Sequence, residues 1–235
     1  MSTFKYKSLR ETLRIEAIFS RPILEWERTS ARFYSMIYDA LGAKIPVNVG
    51  DFSVQPGTIL SEVRARYGIY GGATSVTLHA NKIVFDFPSL IPSDMPIVRE
   101  VLSSVHDAFP KAFPELDYKT MEVQSYEHLE LLEDGAVELF LERYQVPGVE
   151  DAFKSPIVSR PAMKFAVLSQ DQKWQCSFAA EHSLLGPRAL FTALTVSLRD
   201  VTPSSPFLKK LETVVGLLHS CFAVVGLERA DGSST

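Results

Sequence analysis

Three strand-like segments and one helix-like segment follow each other in the last third of the chain: MKFAVLSQD (163–171), KWQCSFAAEH (173–182), ALFTALTVSLRD (189–200) and SPFLKKLETVVGLLHSCFAVVG (205–226). The short polar connections between the three strand segments predict an antiparallel meander. Ser205 as N-cap, Pro206 in the first turn and Gly226 at the end predict the limits of the helix. This unit predicts strands that share a sheet with a helix packed against it.

The C-terminal helix is the most apolar element of the predicted fold. Between residues 207 and 227 the apolar positions form more than one stripe. A helix that is apolar nearly all round is buried between layers or lies in a subunit interface. The sequence therefore leaves two alternatives open, which are burial in the core and a homodimer through this helix.

A looser version of the same order occurs earlier in the chain. Alternation predicts strands at 12–19 and 58–67 and a strand of unusual length at 116–131, and a tight turn at 80–81 predicts a hairpin at 73–87. Helical spacing predicts helices at 22–41, 94–109 and 136–144. Hairpin connections favour antiparallel pairing, so we expect an α+β fold with a mostly antiparallel sheet covered by helices. Two related β-β-β-α halves are a further hypothesis.

Length and composition indicate one globular unit. The chain has 235 residues, 46% of them hydrophobic, and a formal net charge of −4. We expect a single unit over 1–235, with packed halves at 1–146 and 147–227 as a refinement and a disordered polar tail at 228–235. The negative charge makes nucleic acid an unlikely partner. The start of the sequence has no apolar signal and no run is long enough to span a bilayer, so we expect a soluble, cytoplasmic protein.

The sequence carries no familiar catalytic or metal-binding signature. Phosphate-loop, nucleophile-elbow and zinc-helix motifs are missing, and no two of the five histidines have metal-ligand spacing with a third ligand beside them. We therefore assign no catalytic residue, no metal ligand and no cofactor. Cys176 and Cys221 lie in apolar segments, which favours buried free thiols over a disulfide.

Two rows of polar side chains are the candidate ligand site. The polar face of the long strand carries Glu122, Tyr126 and His128, and the polar face of the strand at 58–67 carries Arg64 and Arg66, together with Glu62. If both strands belong to one sheet, the rows can meet across it and hold a polar or anionic ligand. The alternative interpretation is a solvated sheet face with cross-strand ion pairs.

Three functional hypotheses follow from these patterns. The first is a non-enzymatic binding or interaction protein that presents a groove of the sheet and helices to a peptide, a protein partner or a small ligand. The second is an enzyme of unrecognised type, with Glu122 and His128 as acid/base groups and Arg64 or Arg66 as an anion clamp. The third is a structural subunit of a homo-oligomeric assembly.

Overall fold

The fold is a large sheet with helices packed on one of its faces. A computed structural model describes residues 3–42, 52–55, 63–69, 73–145, 161–199 and 207–230. Its strands are β1 (Phe4–Phe19), β2 (Phe52–Gln55), β3 (Arg64–Ile69), β4 (Thr74–His79), β5 (Lys82–Leu90), β6 (Tyr118–Leu131), β7 (Ala162–Leu168), β8 (Trp174–His182), β9 (Ala189–Arg199) and β10 (Leu227–Arg229). Its helices are α1 (Trp26–Leu41), α2 (Met95–Ala112), α3 (Ala136–Glu142) and α4 (Phe207–Val225).

The strand order of the sheet is β2-β3-β4-β5-β1-β6-β9-β8-β7, with β10 paired to β1 outside this path. Every pairing along the path is antiparallel, and β10 runs parallel to β1. The predicted α+β class with a mostly antiparallel sheet is confirmed. The predicted hairpin at 73–87, the long strand and the late meander all appear as paired strands.

The described helices pack on one face of the sheet, which we call the inner face; the opposite face is the outer face. Aromatic rings mark these contacts, because each helix places a ring within 6 Å of a ring on a strand. The pairs are Phe33 of α1 with Tyr67, Phe109 of α2 with Phe19, Phe140 of α3 with Phe4, and Phe222 of α4 with Tyr6 and Phe178. The buried residues of all these elements form one hydrophobic core.

A β-bulge divides β1 into two segments with opposite alternation. Ser8 pairs with Leu129 and Arg10 pairs with His128, so one extra residue, Leu9, stands between successive pairs. Even-numbered residues such as Tyr6 face the core before the bulge, and odd-numbered residues such as Leu13 face it afterwards. This change of phase explains why alternation predicted only 12–19 and not the whole strand.

The C-terminal region differs from its prediction in two respects. A helix apolar on all sides is not confirmed, because α4 buries one face while Glu212, His219 and Val224 are exposed. The disordered tail predicted from 228 is wrong for Glu228 and Arg229, which lie in β10. These two polar residues lie in a strand because the backbone of Leu227–Arg229 pairs with β1. Residues 231–235 lie outside the described residues.

The end predicted at residue 109 for the helix that begins at 94 is also too early. Helix α2 continues to Ala112, and Pro110 lies in its last turn. The predicted limit of the C-terminal helix is correct, since Gly226 follows α4 with φ +80°, which is a left-handed conformation that favours glycine.

The predicted division into halves at 146/147 falls outside the described residues. Strand β6 belongs to the first predicted half, yet it pairs with β1 on one side and with β9 on the other, so one sheet joins both. No helix in the described part of the chain is long and apolar enough to cross a membrane. Cys176 and Cys221 are both buried and free, with their Sγ atoms 3.7 Å apart, as predicted.

Phe109 joins three elements of the core, and its substitution tests this packing. The centroid of its ring lies 5.3 Å from that of Phe19, 6.1 Å from that of Phe33 and 4.7 Å from that of Tyr118. We expect Phe109→Leu to lower the free energy of unfolding by about 1–2 kcal/mol, because the smaller side chain leaves part of this space empty. Urea denaturation measures the change. The control Val224→Ala, at a position 67% exposed, should change stability by less than about 0.5 kcal/mol.

Candidate functional site

The two predicted rows of polar residues lie on the outer face of the sheet but do not meet. A line of cross-strand pairs runs from Arg66 on β3 to Glu122 on β6. It passes through Thr77 on β4, Val84 on β5 and Glu16 on β1. Since neighbouring strands lie about 4.8 Å apart, the row on β3 is separated from β6 by about 19 Å. The predicted residues therefore form two separate groups, and Glu62 lies outside the described residues.

The residues on β6 are tied into contacts with their neighbours. Gln124 Nε2 donates a hydrogen bond of 2.6 Å to Glu122 Oε1, and Tyr126 Oη donates one of 3.1 Å to Gln124 Oε1. His128 Nδ1 lies 2.8 Å from Ser183 Oγ. Burial and the Arg10 charge lower the pKa of His128.

Glu122 and His128 do not act on one atom in this arrangement. They are six residues apart on one extended strand, which is a distance of about 20 Å. Ser183 is buried, and the backbone N–H of Leu185 also donates to its hydroxyl oxygen. The Ser183 hydroxyl is therefore part of a turn and is not an accessible nucleophile.

The residues on β3 line a concavity of about 370 Å³ that we call the arginine concavity. Its lining combines two guanidinium groups with neutral polar groups and one carboxylate: Ser53, Gln55, Arg64, Arg66, Thr77 and Asp86. Arg64 Nε donates a 2.5 Å hydrogen bond to Gln55 Oε1. The side chain of Arg66 is exposed and has no hydrogen bond or ion pair with any described residue.

The carboxylates near the arginine concavity are already paired with other cations. Asp86 Oδ1 lies 2.9 Å from Arg14 Nη1, and Glu16 Oε2 lies 3.0 Å from Lys82 Nζ. These ion pairs leave the positive charges of Arg64 and Arg66 without a carboxylate partner among the described residues. The arrangement can hold an anionic group.

A second polar cluster lies on the inner face, beneath the helices. Glu11 and Glu127 are direct cross-strand neighbours on β1 and β6, and we call them the buried carboxylate pair. Glu127 is only 6% exposed, and Ser125 Oγ donates a 3.1 Å hydrogen bond to Glu11 Oε1. Arg229 of β10 supplies a nearby positive charge, and its Nε is buried without a hydrogen-bond partner among the described residues.

Burial has a large effect on the protonation of this pair. Burial, together with the negative charge of Glu11, raises the pKa of Glu127 to about 7 against the opposing effects of the Ser8 hydrogen bond and the Arg229 charge. Burial also raises the pKa of Glu11, against the hydrogen bond from Ser125 and the charge of Arg229. Because Glu127 is buried and the pair lies on the inner face of the sheet, we assign it to stability rather than to ligand contact.

The buried carboxylate pair was missed by the sequence reasoning, although a signal was present. The apolar face of β6 reads Met121, Val123, Ser125, Glu127 and Leu129, so two polar residues interrupt it. A polar residue at an inward position of a strand indicates a buried polar cluster. On β1 the bulge hid the same signal at Glu11.

The residues that the structure describes contain no cluster of side chains suited to hold a metal ion. No protein-family model matches the chain, and no curated protein matches it. The candidate site is therefore defined by the geometry of the arginine concavity.

The raised pKa of Glu127 predicts a loss of stability as pH rises. The folded state binds the proton more tightly than the unfolded chain, whose ordinary value is 4.5, so stability falls between pH 4.5 and pH 7. We expect this carboxyl group to contribute a decrease of about 3 kcal/mol in the free energy of unfolding over that range. Urea denaturation at a series of pH values measures it.

The variant Glu127→Gln removes this titration while keeping a side chain of similar size. Its stability relative to the wild type should rise with pH by about the same 3 kcal/mol. The control Glu133→Gln changes an exposed glutamate and should leave the pH profile unaltered. If the free energy of unfolding changed with pH in the same way for the wild type and for Glu127→Gln, Glu127 would not be the group that titrates.

Proposed function

We propose that this is a non-enzymatic binding protein that holds an anionic group of its ligand in the arginine concavity. The observation that carries the proposal is the exposed guanidinium of Arg66, which has no partner among the described residues and lies beside Arg64. A guanidinium group offers planar, paired N–H donors that match a carboxylate or a phosphate. The ligand class that this chemistry favours is a small molecule or peptide with such a group.

The surroundings of the arginine concavity support this ligand class. Four cations, Arg14, Arg64, Arg66 and Lys82, and two acids, Asp86 and Glu16, lie on neighbouring strands of the outer face. The two acids are ion-paired, so the local charge is positive although the whole chain is negative. Ser53 and Thr77 add hydroxyl groups that can donate to an anion or accept from a neutral part of the ligand.

The size of the arginine concavity also suits a small-molecule ligand. Its volume of about 370 Å³ lies within the range of about 300–1,000 Å³ that is typical of small-molecule sites. The lining is more polar than that of a drug-like pocket, which favours a hydrophilic ligand. Strands β2, β3, β4 and β5 supply the lining residues, so the site stands largely on regular secondary structure.

The remaining predicted residues suggest a more distant contact region. Tyr126 and His128 both lie against Phe191, with ring centroids 6.2 Å and 5.1 Å away. An extended partner that crosses the outer face would reach these rings from the arginine concavity. The enzyme hypothesis has less support, because the separation of Glu122 from His128 does not suit acid and base action at one reacting centre.

Titration calorimetry with pyrophosphate and with citrate tests the proposal. We expect both polyanions to bind the wild-type protein, and Arg66→Ala to weaken binding at least tenfold, or about 1.4 kcal/mol, because it removes a charge-assisted hydrogen-bond donor. Arg66→Lys should bind with intermediate affinity, because it keeps the charge and loses the paired donors.

The matched control is Arg32→Ala, which removes an exposed arginine from α1, a helix on the inner face. This variant should bind both polyanions like the wild type. Absence of binding to the wild type, or equal binding by Arg66→Ala, would refute the proposal. Chemical conversion of a bound ligand that is lost in His128→Ala would favour the enzyme instead.

A further inference from the structure

Strand β7 forms one edge of the sheet. It pairs with β8 through all seven of its residues without a register shift, and no described residue pairs with its other side. The opposite edge is β2, which has only four residues. A long regular edge strand presents unpaired backbone groups to any strand that approaches it.

The hairpin between β7 and β8 shows which backbone groups face this free edge. Ser169 N donates to Trp174 O, so the pair Ser169–Trp174 is hydrogen-bonded, and hydrogen-bonded pairs alternate along an antiparallel ladder. Residues with odd numbers therefore bond to β8. The N–H and C=O groups that point outwards belong to Ala162, Lys164, Ala166 and Leu168.

The side chains of β7 give this edge little protection against pairing. Val167 is 44% exposed on the inner face and Leu168 is 55% exposed on the outer face. Native edge strands are usually protected by charges, prolines or bulges. Strand β7, with the sequence AMKFAVL, has one charge at Lys164, no proline and no bulge.

We propose that the free edge of β7 pairs with the β7 strand of a second copy of this chain. The two strands run antiparallel about a two-fold axis at Phe165, so the sheets of both copies join into one continuous sheet. This interface is separate from the arginine concavity, which lies at the opposite end of the strand order.

The sequence of β7 is complementary to itself in this register. Phe165 faces Phe165 of the second copy, and Met163 faces Val167 on the same inner face, so apolar side chains cover each other. On the outer face Lys164 faces Ala166, and Ala162 faces Leu168. No two like charges stand directly opposite, which is the arrangement that would oppose self-pairing.

The number of backbone contacts is sufficient for a specific interface. Two seven-residue antiparallel strands form about six to eight hydrogen bonds, because each hydrogen-bonded pair contributes two. A typical protein–protein interface carries about 10 hydrogen bonds, with a spread of about 5. Pairing through β7 also covers the exposed parts of Phe165, Val167 and Leu168, which adds an apolar contribution.

Analytical ultracentrifugation of the full chain over a range of concentrations, without added anions, tests the proposal. The wild type should show a monomer–dimer equilibrium. Ala166→Lys places a lysine opposite Lys164 of the second copy, and it should raise the dimer dissociation constant at least tenfold. Ala166→Glu changes the same exposed position and places a carboxylate there, so its dimer should be as tight as that of the wild type or tighter.

Two further variants separate this edge from other surfaces. Ala166→Pro removes an outward N–H without removing a bond to β8, and it should also weaken the dimer. Val54→Lys adds the same charge to the opposite edge strand and should have no effect. The proposal would be overturned if the wild type stayed monomeric or if Ala166→Lys did not weaken the dimer. A monomer that binds an extended peptide at β7 would overturn it as well.

Discussion

The antiparallel pairing of β1 with β6 is the interaction on which the rest of the sheet depends. It runs from Tyr6↔Leu131 to Phe19↔Tyr118 and joins residues that are 99 to 125 positions apart in the chain. The β3-β4-β5 meander extends the sheet from β1, and the β9-β8-β7 meander extends it from β6. Helices α2 and α4 follow the two meanders and cover the same face. Both halves of the core therefore meet at this central ladder.

The sequence was most informative where the hydrophobic pattern was local and regular. The late meander and the 73–87 hairpin showed strand-like segments joined by short turns, the long strand showed clear alternation, and each is present. The errors have separate physical causes. A bulge at Leu9 changed the phase of β1, and tertiary pairing ordered the polar residues of β10. Strand order depends on which distant strands pair, and alternation within a strand does not contain that information.

The candidate site was only partly predictable for the same reason. Alternation correctly placed Arg64, Arg66, Glu122, Tyr126 and His128 on one face, because side-chain direction is a local property. It did not show that three strands separate the arginines from β6, since that depends on the order of strands. The buried carboxylate pair was within reach of the sequence, because Ser125 and Glu127 interrupt an apolar face. That Glu11 is the cross-strand partner of Glu127 could be seen only from the register of β1 against β6.

The first strand of the sequence is a central strand of the sheet, and this constrains how the chain is made. Among the described residues, the first sheet partner of β1 to be synthesised is β5, and the long pairing with β6 needs the chain to reach Leu131. The apolar side chains of β1 remain without their native cover during this time. Non-local pairing of this kind slows folding and leaves strands open to association with other chains. The apolar face of β1 is therefore exposed for longer in a newly made chain than that of a strand whose partner follows directly in the sequence.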